Sequence, residues 1–97
     1  MRKSNEQPLK EVINKLLEVY KLKDKLNEVR LIGTWEKVMG KVIAIRTREL
    51  YIKDRKLFVS LNSPPLREEL SYAKDKIKNM LNNEAGEQVI DEVILIG

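Results

Sequence analysis

Residues 41–62 read KVIAIRTRELYIKDRKLFVSLN, and the apolar pattern of this stretch decides the fold class. Residues 43, 45 and 47 alternate with Ala44, Arg46 and Arg48, with the period of two that half-buried β-strands show. In the same way residues 57, 59 and 61 point to one face while residues 58, 60 and 62 point to the other. The apolar parity flips near residues 48–49, which a β-bulge can absorb. The charged residues 53–56 separate the two runs and suit a turn. The stretch therefore predicts a β-hairpin.

Two helices are predicted before the hairpin. Apolar residues recur at helical spacing over residues 9–20 and 26–39, with a short connection at residues 21–24. Trp35 lies in the stripe of the second helix, where a large aromatic ring is expected to anchor the core, and Gly40 is placed to end that helix. The stripe of the first helix is wide enough to need a partner surface, either the protein's own sheet or another chain.

One helix and one strand are predicted after the hairpin. Ser63 can cap a helix whose apolar stripe runs to residue 81 and includes Leu70 as a core residue. Residues 89–96 form the last strand, whose continuous apolar end favours a strand covered on both faces or paired centrally. The strand–helix–strand unit should leave its two strands parallel. The predicted fold class is α+β, in the order α-α-β-β-α-β, with one three-stranded mixed sheet covered by helices on one face.

The length of 97 residues fits one domain. Residues 1–97 are therefore predicted to fold as a single unit, with a flexible N-terminus at residues 1–6. The polar N-terminus lacks a signal-peptide core, and no apolar run approaches the length that crosses a bilayer. We therefore expect a cytoplasmic protein without membrane contact.

Neither cysteine nor histidine occurs in the sequence. Their absence removes thiolate metal sites, the commonest metal ligand and the usual nucleophile–base pairs. The sequence neighbours Glu68 with Glu69, and Asp91 with Glu92, point in different directions on a helix or strand, so they are poor acid–base pairs. We expect no enzyme activity, no catalytic residue, no metal site, no cofactor and no small-molecule substrate.

The net charge of +4 is unevenly distributed along the chain. Residues 31–60 carry seven basic and three acidic side chains, whereas residues 61–97 carry four and seven. Arg46 and Arg48 are two residues apart, so they are predicted to share a sheet face and to contact successive phosphates. The same positive charges would also guard a sheet edge against unwanted pairing. The candidate nucleic-acid-binding residues are Lys41, Arg46, Arg48, Lys53, Arg55 and Lys56.

Aromatic side chains give a weaker indication. Tyr20, Tyr51, Phe58 and Tyr72 would stack on bases if they were exposed. Their spacing is not that of the aromatic platform of an RRM domain.

Several short motifs follow one another in the order that the DciA family shows. Residues 35–47 resemble its core motif W-x-x-V-x-G-x-x-I-A-x-x-T, and residues 56–59 resemble its strand G-x-L-x-V. Residues 63–70 resemble its helix start S-x-x-x-x-x-E-L, and residues 81–86 match L-N-x-x-x-G. The resemblance spans about residues 26–96, and it is carried by the order and spacing of these motifs.

The resemblance implies a KH-like fold and a role in bacterial DNA replication. DciA proteins load or operate the replicative helicase DnaB and bind DNA, especially single strands. By resemblance, the basic strand and hairpin would contact single-stranded DNA or DNA junctions, and the helical surfaces would contact the helicase. The chain departs from the family at Arg55, where glycine is frequent in the hairpin turn, and it lacks the GXXG clamp of KH domains.

Two other functions fit the same sequence. A protein-binding adaptor without nucleic-acid binding would use the first helix or the acidic C-terminal third. An RNA-binding KH-like module rests on the analogy of fold alone.

Overall fold

The computed structural model describes residues 2–97, with side chains from Pro8 onward. The elements are α1 (Arg2–Gly33), α2 (Trp35–Met39), α3 (Lys41–Ile45), β1 (Thr47–Lys53), β2 (Lys56–Leu61), α4 (Pro64–Ser71), α5 (Lys74–Ala85) and β3 (Glu92–Ile96). The flexibility expected of residues 1–6 stays a prediction, because Met1 and the side chains of residues 2–7 lie outside the described residues.

The three strands form one mixed sheet in the order β1-β2-β3. β1 and β2 pair antiparallel, whereas β2 and β3 pair parallel. The predicted α+β class is confirmed, and the order α-α-β-β-α-β fits when α2 with α3, and α4 with α5, each count as one helical region. The predicted bulge is also present, since the register shifts between Thr47 and Glu49.

β3 lies at an edge of the sheet, which corrects the expectation of a central or doubly covered strand. Its apolar run has two separate causes. Val93 points into the core and is buried. Ile94 and Ile96 alternate to the opposite face, where they pair with Phe58 and Ser60 of β2 and stay half-buried.

The first helix is longer than predicted. α1 continues through residues 21–24, where a connection was expected. Those residues are Lys, Leu, Lys and Asp, and none of them breaks a helix as glycine or proline would. The helix ends instead at Gly33, where the Thr34 hydroxyl donates to the Leu31 carbonyl at 2.7 Å.

The segment 43–46, predicted as strand, is helical up to Ile45. Gly40 has φ +90° and joins α2 to α3 without letting the chain extend into the sheet. The Thr47 hydroxyl donates to the Ile43 carbonyl at 2.8 Å and accepts from Trp35 Nε1 at 3.0 Å. Over only five residues, an apolar pattern of this kind is compatible with a strand and with a helix. The hydrogen bonds of Thr47, together with packing against the core, stabilise the helix.

The third predicted helix is divided between α4 and α5 at Tyr72 and Ala73. The Ser71 hydroxyl donates to the Glu68 carbonyl, which is the local bond that competes with helix continuation. Ser63 caps α4 by accepting from the Leu66 backbone N–H at 3.4 Å. Gly86, in the left-handed conformation, ends α5.

The core lies between the sheet and the helices that cover one of its faces. Leu57, Val59 and Leu61 of β2 point into it, and Leu81 of α5 belongs to the same buried cluster. The buried residues are Leu31, Trp35, Leu57, Val59, Leu61, Leu70, Ile77, Leu81, Ala85, Val89, Ile90 and Val93. Trp35 and Leu70 thus lie in the core, while Gly40 is exposed.

Within residues 2–97, each helix falls short of the length and apolarity that crossing a membrane would require.

Candidate nucleic-acid interface

The hairpin turn positions the basic residues on either side of it. Asp54 and Arg55 both have positive φ, at 51° and 61°, as a two-residue turn of type I′ requires. Aspartate adopts this conformation readily, whereas arginine does so at a cost. Lys53 and Lys56 flank the turn as direct cross-strand partners.

Arg55 is held by the segment before β3. Its guanidinium donates to both carboxylate oxygens of Asp91, at 2.9 and 3.2 Å, and to the Gln88 carbonyl at 3.0 Å. The Asp91 backbone N–H donates to the Arg55 carbonyl at 2.7 Å. These bonds fasten the hairpin tip to the chain that enters β3.

The pair also shifts both ionisation equilibria in favour of the charged forms. The hydrogen bond from Arg55 lowers the pKa of Asp91, and the same bond raises the pKa of Arg55. The charge of Arg55 is therefore compensated, and the structure gives this predicted contact residue a role in fastening the hairpin.

The other five candidate cations are exposed. Over residues 8–97, the ion pairs are Lys37 with Glu84, Arg55 with Asp91, and Lys78 with Asp75, so none of the five is paired with a carboxylate there. The five are Lys41, Arg46, Arg48, Lys53 and Lys56. We call them the basic edge, because they belong to or adjoin three successive elements of the chain: α3, the edge strand β1 and the hairpin end of β2.

Arg46 and Arg48 do not share a sheet face as neighbours of one strand, which corrects the prediction. Arg46 follows α3 in helical conformation, and its carbonyl accepts from the Asn62 backbone N–H at 2.9 Å. Arg48 is the extra residue of the bulge, between the partners of Leu61 and Ser60. The bulge turns Arg48 out of the alternation that the prediction assumed.

Acidic side chains interrupt the basic edge at three points, one of which is Asp54 in the hairpin turn. Glu49 follows the bulge and pairs with Ser60 across the strands, while Glu92 pairs with Lys56. Lys53 lies about 16 Å from Arg48 along the strand, at about 3.3 Å per residue. Arg48 and Lys53 are thus spread along the free edge of the sheet, a spacing that suits a linear polyanion.

Two aromatic rings are stacked on each other on the sheet face opposite the core. Tyr51 and Phe58 are cross-strand partners, with ring centroids 5.0 Å apart and ring planes within 10°. Tyr51 is 42% exposed and Phe58 is half-buried. Sequence reasoning named both residues but missed the pair. A two-residue turn at Asp54 and Arg55 fixes the hairpin register that brings them together, and that signal was present in the sequence.

α1 presents a second exposed surface. The side chains at 0–6% exposure in this helix are Leu31 and Asn27, close to its C-terminus. Large apolar residues between Leu9 and Val29 are 49–64% exposed. Six of them recur at helical spacing and so share one side of the helix, which we call the free face of α1: Leu9, Val12, Ile13, Leu16, Leu17 and Tyr20.

In the part of the chain that the structure describes, no group of three or more acidic side chains is placed to hold a metal ion. An open, polar concavity lies between the end of α5 and the following loop, and Asn79, Asn83 and Gln88 line part of it.

Comparison with known proteins gives one result. The family model described as "Dna[CI] antecedent, DciA" matches residues 8–95. No curated protein matches the chain. The matched span includes β1, β2, β3 as far as Leu95, and most of α1. The chain therefore belongs to the DciA family.

Proposed function

We propose that this protein is a non-enzymatic, DNA-binding accessory of the replicative helicase DnaB and acts in the cytoplasm. Membership of the DciA family implies a role in loading or operating that helicase during DNA replication. The finer statement, that the chain itself binds single-stranded DNA or DNA junctions, rests on the basic edge. Five exposed cations without a carboxylate partner among residues 8–97 are the observation that carries it.

Protection of a free sheet edge explains only part of this charge. Arg48 and Lys53 belong to the edge strand β1, so they would discourage pairing with another chain. Lys56 belongs to the central strand β2, which is paired on both sides, and Lys41 and Arg46 lie outside the sheet. Three of the five cations therefore have no edge to guard, and binding to phosphates accounts for all five.

The chemistry of these side chains suits a phosphate backbone. Arginine offers a planar fork that binds two phosphate oxygens, while lysine contributes a compact charge on a flexible stem. Neither reads base identity from the backbone, so binding would be largely independent of sequence and would weaken steeply with salt.

The free face of α1 supports the protein-binding part of the proposal. Contiguous exposed apolar surface of this size is a feature of interaction sites. We assign this face to the helicase. A protein-binding adaptor without DNA binding is the second candidate function, and the same face favours it.

Paired variants separate the two functions. Arg46→Glu with Arg48→Glu should weaken binding to a labelled single-stranded oligonucleotide by on the order of tenfold or more, because two phosphate contacts become repulsions. The matched control is Lys74→Glu with Lys76→Glu, which makes the same charge change on α5. Both double variants should still bind the purified helicase.

The reciprocal variant is Leu16→Lys, with Asn14→Lys as its control away from the apolar stripe. Leu16→Lys should lose helicase binding and keep DNA binding. If wild-type protein binds no oligonucleotide at low salt but captures the helicase, the adaptor function is correct. A preference for structured RNA over single-stranded DNA would instead favour the RNA-binding module.

A further inference from the structure

We propose that Tyr51 and Phe58 form a stacking platform for the bases of a single-stranded nucleic acid on the open face of the sheet. The proposal rests on the DNA-binding function above and assigns the bases, as well as the phosphates, a place on the protein. The juxtaposition that carries it is the stacked ring pair beside the lysines of the hairpin end.

The ring pair lies on the opposite side of the sheet from the core. Side chains alternate along β2, so Leu57, Val59 and Leu61 point into the core while Phe58 points away from it. Tyr51 shares the face of Phe58 because the two residues are direct cross-strand partners. On this face the row continues to Ile94 of β3, which extends the apolar floor.

Cations border the platform on the hairpin side. Lys53 and Lys56 each lie two residues from a ring along their strands, on the same face, or about 7 Å at the rise of a β-strand. A base stacked on the rings would bring its phosphate within reach of these flexible side chains. The other charged groups on the face are Glu92, opposite Lys56, and Glu49, opposite Ser60 on the far side of the rings.

This geometry favours bases over a peptide. The two rings are parallel within 10° and stacked on each other, so Phe58 covers one π-face of Tyr51. The other π-face of Tyr51 points toward the free edge of the sheet, where a base can continue the stack, because every base has a π-face. The lysines complement the negative backbone that links successive bases. A sheet face that bound an apolar peptide would need no lysine pair beside its rings.

Stacking and phosphate contacts can be separated because they respond differently to salt. Phosphate contacts set the slope of log K against log salt, whereas stacking on a ring releases no counterion. Tyr51→Ala should weaken binding to an oligothymidylate by on the order of tenfold and leave the salt slope unchanged. Lys53→Gln with Lys56→Gln should reduce the slope by about 1.4, at about 0.7 for each single-strand contact.

Matched variants control for folding and for exposed aromatic surface. Tyr51→Phe keeps a ring and should bind as wild type, whereas Tyr51→Leu keeps apolar bulk without a π-face and should behave as Tyr51→Ala. Tyr72→Ala removes the 81% exposed tyrosine between α4 and α5 and should change nothing. Thermal denaturation of each variant shows whether it is folded.

An oligonucleotide of equal length with abasic central positions completes the experiment. Wild-type protein should bind the abasic strand about as weakly as Tyr51→Ala binds the intact strand. The affinity of Tyr51→Ala should be the same for both strands. The platform is overturned if Tyr51→Leu binds the intact strand like wild type with a normal salt slope, or if Tyr51→Ala loses helicase binding and keeps DNA binding. Failure of wild-type protein to bind DNA at all would instead overturn the DNA-binding function on which the platform rests.

Discussion

Apolar side chains are exposed on the free face of α1 but buried in the α/β body, by which we mean the sheet together with the helices that cover it. In the body, Leu57, Ile77 and Leu81 are at most 1% exposed, and the sheet and helices enclose them. Along α1, apolar residues of the same kinds are about half exposed, and the molecule extends to 67 Å along its longest axis. The body can be stable by its own packing, whereas the exposed apolar face of α1 is typical of an interaction site.

The same difference separates the two binding surfaces that we propose. The basic edge and the ring pair belong to rigid strands of the body, whose positions the core determines. The free face of α1 belongs to a single helix that leaves the core at about Asn27. DNA contacts should therefore depend on the integrity of the fold, and helicase contacts on individual side chains of α1.

A matched pair of leucine substitutions gives the largest expected effect on the free energy of unfolding. Leu81→Ala removes a fully buried side chain and should lower the free energy of unfolding by about 2–5 kcal/mol. Leu17→Ala makes the same chemical change at a 53% exposed position of α1 and should change it by about 0.5 kcal/mol or less. Urea denaturation of both variants measures the difference. If both variants were destabilised equally, Leu17 would be buried in the free protein, and the contrast between α1 and the body would be wrong.

A smaller effect on stability is expected within the body, from the ion pair between Arg55 and Asp91 that fastens the hairpin tip. Because Arg55 lowers the pKa of Asp91 in the folded protein, the pair stabilises the fold above the unfolded pKa of Asp91. That stabilisation should disappear as the pH falls through the folded pKa. The urea midpoint of wild type should exceed that of Asp91→Asn at pH 6, and the difference should close as the pH falls below the ordinary pKa of an aspartate, about 3.9.

Lys78→Gln is a useful control for this pH dependence, since it removes a charge near Asp91 but leaves the hydrogen bond from Arg55. Its midpoint should follow that of wild type closely over the whole range. A difference between wild type and Asp91→Asn that does not vary with pH would mean that the bond to Arg55 contributes no charge-dependent stability.

Local chemistry predicted several parts of the fold because neighbouring residues alone determine them. The hairpin turn, the cap at Ser63 and the helix end at Gly86 each depend on side chains within a few positions. The parallel pairing of β2 and β3 followed from the handedness of strand–helix–strand connections. Family resemblance added the expectation of DciA membership, and the family match over residues 8–95 confirms it.

The remaining features depend on contacts between distant residues. The bond between Arg55 and Asp91 joins positions 36 residues apart, and nothing near Arg55 in the sequence indicates its partner. The apolar pattern of residues 41–45 is compatible with a helix and with a strand. The helix α3 is stabilised by Thr47, which is hydrogen-bonded to both Ile43 and Trp35. The stacked rings of Tyr51 and Phe58 were predictable in principle, since the register of the hairpin follows from its turn.

The measurement that tests the central claim most directly is the salt dependence of single-stranded DNA binding by wild-type protein. If all five cations of the basic edge contact phosphates, log K should fall against log salt with a slope approaching about −3.5. Removal of Lys53 and Lys56 should flatten the slope, while removal of Lys74 and Lys76 on α5 should leave it unchanged. A slope near zero, or an equal change in both variants, would contradict the assignment of DNA binding to the basic edge.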